Sequence, residues 1–190
     1  MLLLTFTAGA NRYAVDVARV IELIPRVELR PVPHAPAFLA GLLGYRGEVV
    51  PVVDLSVLLD APPCPDRLST RIILVNAMAG ESPGGLADRR NPAEHNASSG
   101  QDRSPDRNLL GLIAERVSDL VNVRPEQMKP AAVQVPQAGY LGAIVQTDEE
   151  IVQLIVVEKV WDAMIQGSAF RPDISIDLST DQGPVNLTLA

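Results

Sequence analysis

Groups that could act as nucleophiles or general bases are few and isolated in this sequence. The two histidines, His34 in "PVPHAP" and His95 in a polar segment, belong to no paired or nucleophile motif. Cys64, in "APPCPD", is the only cysteine, so it cannot form an internal disulfide or join a zinc-binding cysteine cluster. We therefore predict that none of the three is catalytic and that the chain holds no metal.

Acidic and glycine-rich segments do not complete a catalytic or phosphate-binding site either. The pairs Glu149–Glu150 and Glu115–Asp119 lie in a predicted turn and on a solvated strand edge, and neither forms an acid/base dyad. "GLLGYRG", which begins at Gly41, lacks the Lys-Ser/Thr of a phosphate-binding loop and matches no dinucleotide fingerprint. These absences favour a binding module without a cofactor over an enzyme. The role of Arg46, which lies inside an apolar segment, stays open at this point. It could be a catalyst, an anion anchor, a structural prop or a partner contact.

The composition is that of a globular protein and disfavours several partner classes. The chain has 190 residues, 47% of them hydrophobic, and a net charge of −7. Its basic residues are scattered, which predicts no binding of nucleic acid. The lone cysteine fits a reducing compartment, and no uncharged stretch is suited to cross a membrane as a helix. We expect a cytoplasmic protein with no direct membrane insertion.

Short apolar segments bounded by Gly, Pro, Asn or Asp predict β-strands. They are Leu2–Thr7, Arg12–Val15, Gly47–Val53, Arg71–Val75, Leu109–Ala114, Leu141–Gln146 and Ile151–Val157. Their number and shortness favour a mainly β fold of small antiparallel barrels over a parallel βαβ sheet.

Helical signals are brief by comparison. Asp16 would cap a helix beginning at Val17, and Pro36 would begin another over "PAFLAGL". Asp54 would cap one or two helical turns over "LSVLL", and "VVEKVWDAMIQG" predicts a final helix ending at Gly167.

An internal repeat indicates two related halves. "YAVDVARVIEL", from Tyr13, aligns without gaps on "LGLIAERVSDL", from Leu110, at an offset of 97 residues. "FLAG" at Phe38 similarly resembles "YLGA" at Tyr140, and an apolar hairpin and a short helix follow in both halves. Chance similarity of apolar patterns is the alternative.

Two polar regions stand outside this repeat. Residues 77–107 show no apolar period, and we expect a mobile loop there. Residues 168–190 form a polar C-terminal extension, in which "ISIDL" and "VNLTL" could make an extra hairpin. We therefore predict one domain over residues 1–166, interrupted by 77–107 and followed by the extension.

Six ordered blocks carry a resemblance to a known family. They are "RYAVDVARVIEL", "LRPVPHAPAFLAGL", "GYRGEVVPVVDLSVLL", "RIILV", "LLGLIAERVSDLVNVRPEQMKP" and "YLGAIV" with "IVQLIVVEKVW". From about Leu2 to Gln166, apart from the insertion, the chain resembles the chemotaxis coupling proteins of the CheW family. The resemblance implies two small SH3-like five-stranded β-barrels that share an apolar core, with short helices and a C-terminal helix.

The resemblance also implies a function without catalysis. Proteins of this family are scaffolds that bridge the cytoplasmic tip of a methyl-accepting chemotaxis receptor and the regulatory domain of the histidine kinase CheA. Binding to these partners recruits them to membrane receptor arrays. Two departures point to a specialised relative, such as one in a non-flagellar chemosensory pathway. The family's usual Asn-Leu-Arg-Gly is here Gly44-Tyr45-Arg46-Gly47, and the insertion is much longer. The alternative is a regulatory module of the same family whose long insertion binds a different partner.

Partner-binding positions follow from the resemblance, residue by residue. They are Val17, Val20, Glu22, Leu23, Gly41 and Arg46 in the first half, and Gly111, Arg116 and Val117 in the second. Arg46 matches the family's turn arginine, which either contacts a partner or fixes the barrel junction by binding loop carbonyls or a carboxylate such as Glu22. Structural roles are expected for Gly41 in close packing of the barrels, Gly47 in a turn with positive φ and Asp54 as a helix N-cap.

Overall fold

The computed structural model describes residues 1–77, 108–131, 135–146 and 150–167, and it confirms a mainly β fold. The strands of this part of the chain are β1 (Leu2–Ala8), β2 (Asn11–Asp16), β3 (Val20–Pro25), β4 (Leu39–Tyr45), β5 (Glu48–Asp54), β6 (Thr70–Asn76), β7 (Leu109–Asn122), β8 (Met128–Lys129), β9 (Leu141–Gln146) and β10 (Ile151–Ile155). The α-helices are α1 (Leu55–Leu58) and α2 (Val157–Gly167). Of the predicted loop, residues 77–107, all but Ala77 lie outside the described residues, as does the extension 168–190.

The ten strands form one hydrogen-bonded sheet in which β7 is the shared strand. The order is β3-β6-β7-β1-β2-β10-β9-β8, while β5 pairs with β7 and carries β4 on its other side. β7 runs on to Asn122, well beyond the predicted end at Ala114. Its first half pairs with β6 and its second half pairs with β1. β7 therefore joins two groups of strands. The first strand group, β3, β4, β5 and β6, meets its first half, and the other strand group, β1, β2, β8, β9 and β10, meets its second half. This arrangement is compatible with two small barrels.

The internal repeat has a counterpart in the course of the backbone. In the first copy, β2 ends at Asp16 and a single 3-10 turn over Val17–Arg19 leads into β3. In the second copy, β7 continues, but its register with β1 shifts and Arg116 adopts a φ of 47°. Arg19 and Arg116 are aligned in the sequence repeat, so both copies bend at the same position.

The hairpins that follow these bends are paired in the same register. Leu39 faces Val53 across β4 and β5, and Leu141 faces Ile155 across β9 and β10. Both members of the second pair lie 102 residues after those of the first (141 − 39 and 155 − 53). A helix then follows each hairpin, α1 after β5 and α2 after β10.

Three apolar clusters fill the interior. The largest lies between the strand groups, since it contains residues of both groups and of both helices, including the buried Trp161 of α2. The second cluster lies within the first strand group and contains Leu43, Val50, Val52, Cys64, Ile72, Leu74, Leu109 and Ile113. The third lies within the other group and contains Leu3, Ala14, Val123, Val145 and Val152.

The helix predicted after Asp16 is wrong beyond its first turn. Asp16 does cap this turn, because its carboxylate accepts from the Ala18 N–H at 3.0 Å. The chain then extends as β3, whose half-buried and exposed positions alternate. Val20 and Ile21 are β-branched and favour an extended backbone, and pairing with β6 satisfies the main chain that a helix would have satisfied internally.

The helix predicted from Pro36 is also wrong, because the following residues form β4. Leu39, Gly41 and Leu43 are buried while their neighbours are less so, and this is the two-residue period of a strand. Gly41 and Gly44 further disfavour a helix in this segment. The predicted final helix is confirmed and ends at Gly167.

Candidate partner-binding site

The turn between β4 and β5 presents Arg46 at its tip. Arg46 and Gly47 are the two central residues, with φ angles of 50° and 85°, and Tyr45 faces Glu48 across the turn. Two consecutive positive φ values are characteristic of the type I′ turn, whose twist matches that of paired strands. The structure confirms the predicted positive φ of Gly47, and it also places the bulky Arg46 in the left-handed region.

Glu22 of β3 binds the turn arginine. Arg46 Nη2 donates to Glu22 Oε2 at 3.0 Å, although the Arg46 side chain remains 73% exposed and that of Glu22 40% exposed. Binding a carboxylate such as Glu22 was one of the alternatives open for Arg46, and the structure shows this contact. Val20 and Ile24 flank Glu22 on the same side of β3. Val20 packs against the largest apolar cluster and Ile24 against the second. The ion pair therefore lies where these two clusters approach each other.

Tyr45 is a third member of this group that sequence reasoning missed. Its hydroxyl donates to Glu22 Oε2 at 2.5 Å, and its ring centre lies 4.9 Å from the guanidinium carbon of Arg46. The hydrogen bond to Glu22 and partial desolvation raise the pKa of Tyr45, because loss of the phenol proton would place a second negative charge beside the carboxylate. The departure from the family's Leu at this turn was the one sequence signal of its role.

The other side of β3 exposes apolar residues. Ile21 and Leu23 are 40% and 42% exposed, and β3 is the terminal strand of the sheet order. Val27, after β3, and Val49, beside the turn, are also exposed. An edge strand with apolar side chains is suited to bind another chain. Sequence reasoning identified Leu23 but missed the other three. For Ile21 the reason is that a helix was assigned where β3 forms.

Three of the predicted contact residues are half-buried valines. Val17 and Val20 from the first bend and Val117 from the second all pack against the largest apolar cluster. They therefore support the surface from beneath and present only part of their side chains to solvent.

Gly41 and Gly111, which the resemblance assigns to partner contact, are buried in this structure. A Cβ at Gly41, which has a φ of 150°, would lie 2.7 Å from the carbonyl oxygen of Arg30. Gly41 thus admits the segment before β4, whereas its expected role was close packing of the two barrels. A Cβ at Gly111 would lie 2.9 Å from Val52 Cγ2 and 3.0 Å from Ile72 Cγ2, so this glycine allows β5 and β6 to flank β7 closely.

Among the described residues of the second half, the counterpart of Glu22 pairs with an arginine of a different element. Arg116 is exposed at the bend of β7, and its N–H donates to the Ser69 carbonyl at 3.0 Å. Asp119, the counterpart of Glu22 in the repeat, pairs with Arg12 of β2 at 3.1 Å. Arg12 also lies 3.2 Å from Glu150. The acidic position is therefore kept in both copies, while its arginine partner comes from a different element.

Asp54 performs the predicted capping and a second task. It is buried, and Oδ1 accepts from the N–H groups of Ser56 at 2.9 Å and Val57 at 3.4 Å at the start of α1. Oδ2 accepts from the Cys64 N–H at 2.9 Å, which fixes the segment before β6. Burial, with the nearby Asp54 charge, raises the pKa of the Cys64 thiol to about 11.

The described residues contain no group of three His, Cys, Asp or Glu side chains that could hold a metal ion. In that same part of the chain no helix is both long and apolar enough to cross a membrane.

Most of the chain matches one family of known proteins. Residues 2–164 match the CheW-like domain family. The chain is 23% identical over 161 residues to the probable chemotaxis protein CheW of Rhizobium etli, a match that covers 84% of this chain and 86% of that protein. A shorter match to the chemotaxis protein CheW of Treponema pallidum is 36% identical over 53 residues, or 28% of this chain and 31% of that protein.

A solved structure shares the fold. The scaffolding protein TtCheW from Thermoanaerobacter tengcongensis superposes with a TM-score of 0.62 at 19% identity. The superposition covers 81% of this chain and 82% of that one.

Proposed function

This chain belongs to the CheW-like domain family, and on that ground we propose that it is a non-catalytic adaptor that couples chemoreceptors to a CheA-type histidine kinase. The match to the family over residues 2–164 carries the proposal. Relatives named as chemotaxis proteins CheW and a fold shared with a scaffolding protein support it. On this proposal, the partners are the regulatory domain of the kinase and the cytoplasmic tip of a methyl-accepting receptor.

The state of the reactive side chains supports binding over catalysis. Cys64 is buried and its pKa is raised to about 11, so at neutral pH the thiol is protonated and is a poor nucleophile. His34 is exposed in the loop before β4 with a φ of 60°, and sequence reasoning found no catalytic partner for it. The kinase would therefore perform the phosphoryl chemistry, and the adaptor would hold kinase and receptor together.

We assign one partner contact to the surface formed by β3 and the β4–β5 turn. This surface combines the Glu22–Arg46 ion pair with the exposed Val49 beside the turn and the outer edge of β3, and Leu23 is exposed on the opposite side of that edge strand. Charged groups beside exposed apolar ones are typical of protein interfaces, where apolar contacts supply affinity and charges supply orientation. Arg116, exposed at the equivalent bend of β7, is the candidate for contact with the other partner.

Binding to purified partners tests the proposal. The wild-type chain is titrated with the regulatory domain of the cognate kinase and with a receptor cytoplasmic fragment. We expect dissociation constants of tens of micromolar or lower, and clustering of a fluorescent fusion at the membrane only in cells that contain receptors. If the chain binds neither partner at that concentration, the adaptor function is refuted.

A charge-matched pair of variants locates the surface. Arg46→Glu reverses one charge at the turn and places a carboxylate beside Glu22, so we expect binding to at least one partner to weaken about 10-fold or more. Arg124→Glu makes the same change at an exposed residue of the other strand group and should bind as wild type does. Circular dichroism and melting of both variants separate lost contact from lost folding.

A further inference from the structure

Tyr45 joins the two charged residues of the turn by two different contacts. Its hydroxyl donates to Glu22 Oε2 at 2.5 Å, and Arg46 Nη2 donates to the same oxygen at 3.0 Å. The guanidinium carbon of Arg46 lies 4.9 Å from the centre of the Tyr45 ring, within cation–π range. The three side chains thus form a closed triangle in which each residue contacts both others.

The half-buried ring of Tyr45 connects the triangle to the apolar interior. It packs against the second apolar cluster, whereas the Arg46 side chain is 73% exposed. An exposed Arg–Glu pair alone keeps its geometry weakly, because two long side chains lose rotamer freedom for a contact that solvent screens. An aromatic ring has only two side-chain torsions, and packing fixes it, so Arg46 and Glu22 both bind a surface that is already ordered.

The triangle leaves hydrogen-bond donors of the guanidinium unused. An arginine has five N–H donors, and among the described residues only Nη2 of Arg46 has an acceptor. The planar guanidinium matches a carboxylate, with which it can form two parallel charge-assisted bonds. Val49, 66% exposed beside the turn, would provide apolar surface around such a contact.

We infer that Tyr45 is a positioning residue that presets Arg46 to bind a carboxylate side chain of the partner protein, an inference that rests on the adaptor function proposed above. A guanidinium already held in place loses less conformational entropy when the contact forms, so the same pair of charges contributes more to affinity. Glu22 has a role here as well, because it neutralises part of the arginine charge and restricts which face of the guanidinium a partner can reach.

Tyr45→Phe is the decisive variant, since it removes only the hydroxyl and keeps the ring beside Arg46. Its affinity for the kinase regulatory domain and for the receptor fragment is compared with those of Arg46→Ala and of the double variant. For one of the two partners we expect Tyr45→Phe to weaken binding about 3- to 10-fold and Arg46→Ala about 10-fold or more. The double variant should bind no more weakly than Arg46→Ala, because Tyr45 acts through Arg46.

The salt dependence of binding tests whether Arg46 forms an ion pair with the partner. A contact between full charges at an exposed site weakens as ionic strength rises, because salt screens it. Raising salt from about 50 to about 300 mM should therefore weaken wild-type binding more than it weakens the binding of Arg46→Ala. Equal salt dependence of the two proteins would refute a carboxylate contact.

Tyr140→Phe is the matched control. It also removes a tyrosine hydroxyl that makes one hydrogen bond, to the Leu58 carbonyl at 2.7 Å, but this hydroxyl is buried in the largest cluster. We expect a lower melting temperature and unchanged affinity for both partners.

The outcomes separate this inference from the proposed function. If wild type binds and Tyr45→Phe binds equally well, or if the effects of Tyr45→Phe and Arg46→Ala simply add, Tyr45 does not position Arg46. If wild type binds neither partner, the adaptor function is refuted and the partner contact with it. The NMR order parameter of the Arg46 Nε–H then tests the positioning without a partner: it should fall in Tyr45→Phe, and an unchanged value refutes the role.

Discussion

Gly111 of β7 lies opposite Val52 of β5 in a parallel pairing, although residues 78–107 separate β7 in sequence from the strands before it. The equivalent pairing in the other strand group joins Ala14 of β2 to Leu154 of β10, again in parallel. Each group of strands is thus completed by a strand from the other copy of the repeat. Stability of one group should therefore depend on the other.

Gly111→Ala tests how tightly these exchanged strands pack. The new methyl group would lie 2.9 Å from Val52 Cγ2 and 3.0 Å from Ile72 Cγ2, so the flanking side chains would have to move. Overpacking of this kind costs about 1–3 kcal/mol of unfolding free energy. Urea unfolding, followed by circular dichroism, measures the loss.

Gly139→Ala is the control for that substitution. A Cβ at Gly139 has nothing within 4 Å, and its φ of −58° suits any residue, so we expect a change within about 0.5 kcal/mol. Equal stability of the two variants would contradict the close packing of β5 and β6 on β7.

Replacing residues 78–107 by Asn-Gly should leave the fold intact. The Ala77 N–H donates to the Asn108 carbonyl at 2.9 Å, and Asn76 faces Leu109, so β6 and β7 stay paired up to both ends of the replaced segment. Asn-Gly is the preferred two-residue hairpin turn, and a shorter connection loses less entropy on closure, by roughly 2 kcal/mol at most. We expect an unchanged or higher melting temperature by calorimetry.

The same variant also tests the alternative role of the insertion. If both partners still bind but signalling output in cells changes, residues 78–107 are regulatory. A lower melting temperature would instead show that they contribute to the folded structure.

Local patterns predicted seven of the ten described strands, missing β3, β4 and β8, and they did not predict the long-range partners of any strand. β9 is found at its predicted bounds, and β1, β2, β5 and β6 lie within one or two residues of theirs, because their apolar residues end at clear turn signals. β3 was missed, because Val17, Val20, Ile21 and Ile24 also fit a helical period. The choice between the two structures is made by pairing with β6, which no local window contains.

The candidate site, like the fold, could be predicted only in part from the sequence. Glu22 and Arg46 carry charge within apolar segments, so an ion pair between them could be expected. Tyr45 could not be assigned in this way, because its contact with Glu22 depends on how β3 lies relative to the β4–β5 turn. That placement is set by tertiary packing.

Stability should fall at alkaline pH through ionisation of Cys64. Folding raises the pKa of this thiol from 9.0 to about 11, so the neutral form is favoured in the folded state. The stability linked to this group is complete below the unfolded pKa of 9.0 and is lost as pH rises through about 11. Urea unfolding between these pH values should show the decrease.

Cys64→Ala provides the comparison. Its unfolding free energy should be lower at neutral pH, because a buried side chain is shortened, but it should depend less on pH between 9.0 and about 11. Parallel pH profiles of wild type and variant would show that Cys64 does not contribute.

Cleavage within residues 78–107 should give two fragments that fold only together. β1, β5 and β6 lie on the first fragment and all three pair with β7 on the second, while β2 pairs with β10 across the same division. Each fragment alone would expose unpaired strand edges and half of the largest apolar cluster, so neither should melt cooperatively. A protease site engineered into the segment allows cleavage of the folded chain, and the nicked protein should migrate as one species in gel filtration. After separation in urea, equimolar mixing should restore a single cooperative transition.

A protease site after Gly167 is the control, since it leaves every described strand on one fragment, which should refold without its partner. Cooperative melting of either internal fragment by itself would show that the strand groups are independent, in conflict with the exchanged pairing of Val52 with Gly111.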